Sequence, residues 1–399
     1  MIPEIRARYN REFTREKYQA FLAEITAAHN YRPGFRIAET PVFIPNYLRL
    51  KIREATDEIT EVFCQPDFKE QTKDAIFHPE NVVPKEDYHA RFIQVDFGIC
   101  TDENGQLTPQ LIEVQGFPSL YFFQDLLAKT YRNHFHIHES LKHYPGNITP
   151  SSYKQLLKEV IVGDNDPKNV VLLELEPEKQ TTFVDYLGAQ KGLGIKVLDI
   201  IKMLKEGRKL FYRDEEGKKV PIYKIYNRVI FDELALRPDI KRQFYFKDEV
   251  DVEWVGHPNW FFRISKYIMP RLKSKYVPKS YYLDKLVPYP DDLENYVLKP
   301  LYSFAGAGVK LHVSKEDLDS IDNKANFILQ EKVKYEPLIE TPTGTAKCEF
   351  RVMTIWQPGQ RKAQIVNNLV SITKGEMVGV KYNIDKDWVG ASIAFLEFA

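Results

Sequence analysis

Apolar and polar positions alternate at helical spacing over residues 1–30 and again over 46–64, with a Pro-rich connection between them. The pattern then shortens to the two-residue period of strands. Arg91–Cys100 (RFIQVDFGIC) and Gln106–Gln115 (QLTPQLIEVQ) flank the turn residues Asp102-Glu103-Asn104-Gly105, which predicts a β-hairpin. A helix is expected over Leu120–Tyr131. Pro145-Gly146-Asn147 and Pro150-Ser151-Ser152 then mark a break.

Beyond the break, Asn169–Leu175 (NVVLLEL) is a near-continuous apolar run, Gln180–Lys191 has helical spacing, and Leu193–Leu198 begins another strand. That succession is a βαβ unit of an open sheet. Lys209–Arg213 and Lys219–Tyr223 flank Asp214-Glu215-Glu216-Gly217 as a second hairpin, and Tyr223–Phe231 continues as a strand. The pattern is helical from Trp260 to Leu272. Tyr296–Pro300, Gly308–Val313, Phe327–Val333, Glu349–Trp356, Ala363–Ser371 and Ala391–Phe398 read as strands. The expected fold class is mixed, α+β with α/β, in three parts. Residues 1–150 hold the N-terminal helices and the hairpin, 151–255 an open-sheet α/β domain that takes substrate, and 256–399 an antiparallel sheet clasping a ligand.

Composition narrows the function classes. The 56 basic residues equal the 56 acidic ones, so no global field draws in nucleic acid or anionic lipid. Cys64, Cys100 and Cys348 are odd in number and include no CxxC pair, which argues against a disulfide framework or zinc site and for a reducing compartment. No stretch reaches the roughly 18 apolar residues of a spanning helix, and the first residues lack the apolar core of a signal peptide. A cytoplasmic protein, with neither nucleic-acid nor membrane partner, is the expectation.

Candidate chemistry lies in four places. Val297–Val309 (VLKPLYSFAGAGV) puts Lys299 at a strand end before a loop of small residues with Ser303, Gly306 and Gly308. Glycines let backbone N–H groups approach phosphate oxygens, and a lysine supplies fixed charge. Taken alone, the segment reads equally as an ordinary hairpin with a flexible loop. Phe327–Val333 (FILQEKV) is an apolar strand that turns abruptly charged. Its Gln330, Glu331, Lys332 and Val333 either meet a nucleotide or simply emerge into solvent. Lys266 is a second candidate phosphate lysine, or a solvated one on a charged helix ending at Met269-Pro270. Finally, a two-residue turn at Asn104-Gly105 sets Asp96 directly opposite Glu113, with Gln115 on the same face. Opposed carboxylates repel unless a cation or proton lies between them. Two carboxylates and an amide suit Mg2+. The alternative is a solvated polar face, although that face also carries Phe92.

In this order, Asp96, Glu113-Val114-Gln115, Ser265-Lys266, Val297-Leu298-Lys299-Pro300 with its glycines, and Gln330-Glu331-Lys332-Val333 resemble the ATP-grasp superfamily. The acidic motif precedes the lysines, which resembles the circularly permuted branch that contains glutathionylspermidine synthetase and eukaryotic glutathione synthetase. The resemblance spans roughly residues 90–399 through scattered motifs. It implies ATP and Mg2+ as cofactors: Asp96, Glu113 and Gln115 around the metal, Lys266 and Lys299 on the phosphates, and the 303–308 loop closing over them. It also implies an adenine hinge at 330–333. Glu349-Phe350-Arg351 resembles the next strand of such sites, where Arg351 meets ribose or phosphate, and Ser371-Ile372-Thr373-Lys374 resembles a later segment near the second substrate. The chain departs from the family pattern at Gln115, where Asn is usual, and at Gln94, where an Arg often stands. The loop after Lys299 also lacks the acidic or Arg residue often found there.

The activity so implied is ATP-dependent joining of a small-molecule carboxylate to an amine through an acyl phosphate, with Lys299 and Arg351 in catalytic roles. Arg228, in Tyr226-Asn227-Arg228, is the candidate for holding the substrate carboxylate, against the alternative of an ordinary surface arginine. Two rivals remain: a nucleotide-binding module without ligase activity, and a small-molecule kinase of the same fold.

Overall fold

The computed structural model describes every residue except 79, 80, 304, 305, 380, 381, 384 and 399. Helices Pro3–Glu12 and Arg15–His29 open the chain, the second capped by the Thr14 hydroxyl on the Lys17 N–H and ended by Asn30 in the left-handed region. Helix Asn46–Phe63 buries Leu48, Ile52, Ala55, Ile59 and Phe63, one apolar stripe at three- and four-residue spacing.

The strands in chain order begin with β1 (Val42–Ile44), β2 (Phe92–Thr101) and β3 (Leu107–Gln115). The middle third carries β4 (Val170–Glu174), β5 (Lys196–Asp199), β6 (Leu204–Glu206), β7 (Lys209–Arg213), β8 (Lys219–Ile222), β9 (Lys224–Asn227) and β10 (Glu253–Val255). The last third has β11 (Ser280–Tyr282), β12 (Tyr296–Pro300), β13 (Phe327–Glu331), β14 (Ile339–Thr341), β15 (Gly344–Ile355), β16 (Gln364–Thr373), β17 (Gly390–Ser392) and β18 (Ala394–Leu396).

A central antiparallel sheet runs β17-β16-β15-β2-β3, with β14 folded back on β15. β15 therefore joins the early hairpin to the late strands. A parallel sheet, β10-β9-β4-β5, is built from the apolar run VVLLE and its neighbours, with helix Phe183–Leu193 crossing from β4 to β5. β11-β13-β12 form a small antiparallel sheet, β6-β7-β8 a meander, and β1 pairs in parallel with β18. The α/β unit and both hairpins expected from the sequence are thus present. Among the described residues no helix is long and apolar enough to cross a membrane.

Three expectations need correction. The stretch Trp260–Leu272 is not one helix: a short helix Asn259–Arg263 stops at extended Ser265, whose hydroxyl caps the Tyr267 N–H of a 3-10 turn, Lys266–Arg271. Gly308–Val313 forms no strand; only Lys310 bridges back to Leu298, because Gly306 and Gly308 both take positive φ. The helix expected from Leu120 starts at Phe123, because Leu120 has φ +72°. In place of a local cap, the Asp185 carboxylate accepts the N–H groups of Leu120, Phe122 and Phe123.

Candidate functional site

The hairpin β2–β3 sets the geometry. Its tip is not the two-residue turn: Asp102 and Gln106 close a three-residue tip in which Gly105 has φ +73° and Asp102 Oδ1 accepts from the Asn104 and Gln106 N–H groups. Near the tip the register is therefore one residue away from the expected one. A bulge at Ile112 restores it, so Asp96 does face Glu113 and Gln94 faces Gln115. The bulge leaves Ile112 without a cross-strand partner on β2.

Around the opposed carboxylates the structure gathers three cations. Arg351, level with Asp96 on β15, forks it with Nε–Oδ1 at 2.7 Å and Nη2–Oδ2 at 2.6 Å. Lys266 Nζ lies 3.0 Å from Glu113 Oε2, and Gln115 Nε2 donates to Glu113 Oε1 at 2.7 Å. Lys266 gets there because the break at Ser265 turns the chain and the Gly116 N–H bonds the Ile264 carbonyl at 2.8 Å. Lys266 also donates to the Ser303 carbonyl at 2.8 Å, while the Ser303 hydroxyl is buried without a partner. Lys299, from β12, donates at 3.0 Å to the free Ile112 carbonyl.

Burial dominates the electrostatics. It pushes the Asp96 carboxyl up, reinforced by Glu113, while the Arg351 fork pulls the other way and marks an ion pair. At Glu113 burial is outweighed by Lys266, Arg351 and Lys299, and the carboxyl falls to about 2. Burial and Lys266 bring Lys299 down to about 8 against the pull of Glu113. Glu349, two positions from Arg351 on the same face of β15, is raised to about 7 by burial and by Asp96 and Glu113; its carboxylate accepts a hydrogen bond from the Tyr335 hydroxyl.

The remaining expected residues are placed less uniformly. Gln330 is buried on β13, donating weakly to the Leu111 carbonyl at 3.5 Å, with its Oε1 unpartnered. Glu331 lies 3.6 Å from Lys279, Lys332 donates to the Glu294 carbonyl at 2.6 Å, and Val333 presses on Gly98. Of the 303–308 loop, Phe304 and Ala305 lie outside the described residues; Gly308 packs close to the Pro300 ring and Gly306 faces Met377. Lys374 does not join the cluster: it sits five positions past Leu369, the partner of Arg351, roughly 17 Å along the strand. There it binds the Thr343 hydroxyl at 2.6 Å and Asp387 at 3.4 Å. The hollow bounded by Gln115, Ser265, Lys266, Leu301 and Ser303 is about 20 Å3, room for one water. Among the described residues no group of three or more His, Cys, Asp or Glu side chains could hold a metal ion.

Arg228 is not a surface arginine. It is buried at the carboxyl end of β9, 4.8 Å over the Phe117 ring, donates to the Pro118 carbonyl, and has an unpartnered Nε. Beside it, at the carboxyl end of β4, Glu174 accepts from Tyr186 at 2.7 Å and is raised to about 8 by burial. The chain leaves β4 toward β5 and returns on its other side as β9, so Glu174 and Arg228 flank the switch point of the sheet, where open α/β sheets bind ligands. Glu174 and Tyr335 were not singled out in the sequence. A carboxylate ending the apolar run NVVLLEL was the available signal for the first, and nothing local marks the second.

No family model matches the chain, and no curated protein is similar to it at a significant level. Among solved structures it is similar to a glutathione synthetase-like effector from Globodera pallida in its apo form, with 11% sequence identity and a TM-score of 0.55 over 96% of this chain and 97% of that one. At that identity the likeness is one of fold: the chain has the overall architecture of a glutathione synthetase-like protein.

Proposed function

We propose that the protein is an ATP-dependent carboxylate–amine ligase of the permuted ATP-grasp kind. The observation that carries this reading is the convergence of Asp96, Glu113, Arg351, Lys266 and Lys299, from five separate segments, on one face of the central sheet. Three buried cations beside two ionised acids are a costly arrangement for stability alone. They are suited to an anion that develops charge, such as a transferring phosphoryl group.

Asp96, Glu113 and the Gln115 amide are the hard-oxygen donors that fit Mg2+, which takes few protein ligands and fills the rest with waters and phosphate oxygens. Glu113 would exchange Lys266 for the cation, and Lys266 would pass to a phosphate. When bound, Mg2+ would neutralise charge on the phosphate oxygens. Lys299 would grip the same chain of phosphates, which would favour its charged form. Arg351, already fixed by Asp96 through Nε and Nη2, would present Nη1. Because the hollow at Lys266 is water-sized, the 303–308 loop or the β11-β13-β12 sheet would lift to admit ATP.

The substrate carboxylate, held by Arg228 at the switch point, would attack the γ-phosphorus and release ADP. An amine would then attack the acyl phosphate carbonyl and expel inorganic phosphate. The chain would exclude water from this anhydride by closing the Gly306–Gly308 loop.

A second reading, nucleotide binding without turnover, is favoured by Gln94, which donates to the Ser119 carbonyl and brings no charge to the site. Calorimetry of ATP with and without Mg2+ tests both. Metal-dependent binding, weakened by Lys299→Ala and by Glu113→Ala, supports the nucleotide site, and ADP release with candidate acids and amines then separates ligase from binder. An absence of ATP binding by the wild type would sink both.

A further inference from the structure

The central sheet has a second face, and a cavity of about 650 Å3 opens on it. Side chains alternate along β15: Arg351 points to the ion cluster, while Phe350 and Val352, on either side of it, line this rear cavity. With Ile52 of the helix Asn46–Phe63, and with Ile365 and Leu396, they make an apolar floor. The volume lies within the range of sites for drug-sized molecules.

The rim carries more positive than negative charge. Arg49, Arg53 and Lys362 line the cavity against one carboxylate, Asp57, an excess of two positive charges. Asp57 is shared, 3.7 Å from Arg53 and 3.5 Å from Lys362, so it cannot neutralise both. Arg53 and Lys362 are mostly solvent-facing and hold no other acid in an ion pair within the described residues.

A buried donor also lines the cavity. Asn367 is 1% exposed, and its side-chain amide is hydrogen-bonded to the Tyr153 hydroxyl. The Tyr153 hydroxyl in turn donates to the Tyr121 carbonyl at 2.7 Å. Apolar floor and cationic rim together describe a ligand with an apolar body and an anionic head.

We propose that this rear cavity binds a small amphipathic organic carboxylate, its hydrocarbon part on Phe350, Val352 and Leu396 and its acid group toward Arg53 and Lys362. The site is separate from the ion cluster and does not depend on the nucleotide reading. An occupant would touch both neighbours of Arg351 on β15, the strand whose arginine forks Asp96.

The test is calorimetric titration of the full chain, without nucleotide and at low salt, with octanoate and 3-phenylpropionate, and with octanamide as the neutral counterpart. Saturable one-to-one binding of an acid, about ten-fold tighter than the amide and weakened about ten-fold in Arg53→Glu/Lys362→Glu, is expected. Both substitutions lie at the solvent-facing rim, so the variant should keep its melting temperature. Absence of saturable binding by either acid, equal binding of octanamide, or undiminished binding by a folded charge-reversed variant would overturn the proposal.

Discussion

Lys299 Nζ lies 3.0 Å from the carbonyl oxygen of Ile112, the one residue that the hairpin bulge leaves without a partner on β2. The irregularity in β3 and the placement of the buried lysine are thus one feature: the extra residue restores the Asp96–Glu113 register and turns an acceptor toward β12.

That lysine works against folding. Its pKa falls from 10.5 to about 8, so its contribution to stability is present above pH 10.5 and lost as pH falls through about 8. Lys299→Met should therefore melt no lower than the wild type at pH 7, with a gain on the order of 1 kcal/mol, while ATP affinity drops at least about ten-fold. Melting curves with and without nucleotide read both effects.

Glu349 gives the opposite window. Its carboxyl rises from 4.5 to about 7, so the stability tied to its protonated form is full below about pH 4.5 and lost as pH climbs through 7. In urea titrations from pH 5 to 8, Glu349→Gln should gain on the wild type steadily, reaching about 1–3 kcal/mol.

The Asp96–Arg351 pair should show the cost of a half-removed ion pair. Arg351→Met leaves a buried carboxylate without its fork and should lose about 3–5 kcal/mol in denaturant. Adding Asp96→Leu should restore most of that loss. If the double variant were as unstable as the single one, the pair would not be the coupled unit described.

Two glycines should respond differently to alanine. At Gly116 a Cβ would meet the Trp260 carbonyl oxygen at 2.5 Å, and backbone cannot step aside; at Gly98 it would meet the Val333 and Tyr335 side chains at 2.8 and 3.0 Å, which can rotate. Gly116→Ala should cost more than Gly98→Ala, the latter about 1–3 kcal/mol by thermal melts.

Much of the site was readable wherever a local period carried the information. Alternation placed Asp96, Glu113 and Gln115 on one face, and the apolar run at Val170 marked the parallel sheet. The tip of the hairpin was misread because Gly105 supports a longer tip as well as a two-residue one, and an unforeseeable bulge at Ile112 cancelled the error. Lys266 was assigned to a continuous helix because Ser265 is a tolerable helix residue. Only the tertiary bond from Gly116 to Ile264 shows why the helix stops there. Arg228 is legible as a candidate for holding a carboxylate, but its burial is not, because its companions Glu174, Phe117 and Tyr186 come from remote segments. The distance of Lys374 from Arg351 is set by strand length rather than residue type, and no local pattern reveals it.

The central position of β15 bears on the order of folding. Asp96 and Glu113 are made early, whereas Arg351 stands 255 residues beyond Asp96 and Lys266 and Lys299 also follow late. A nascent chain holding only the first hairpin carries two facing carboxylates and none of their neutralising partners, so that hairpin gains little from forming early. Its locking waits for β15 to emerge and dock, which ties a loop closure of 255 residues to the assembly of this charged interior.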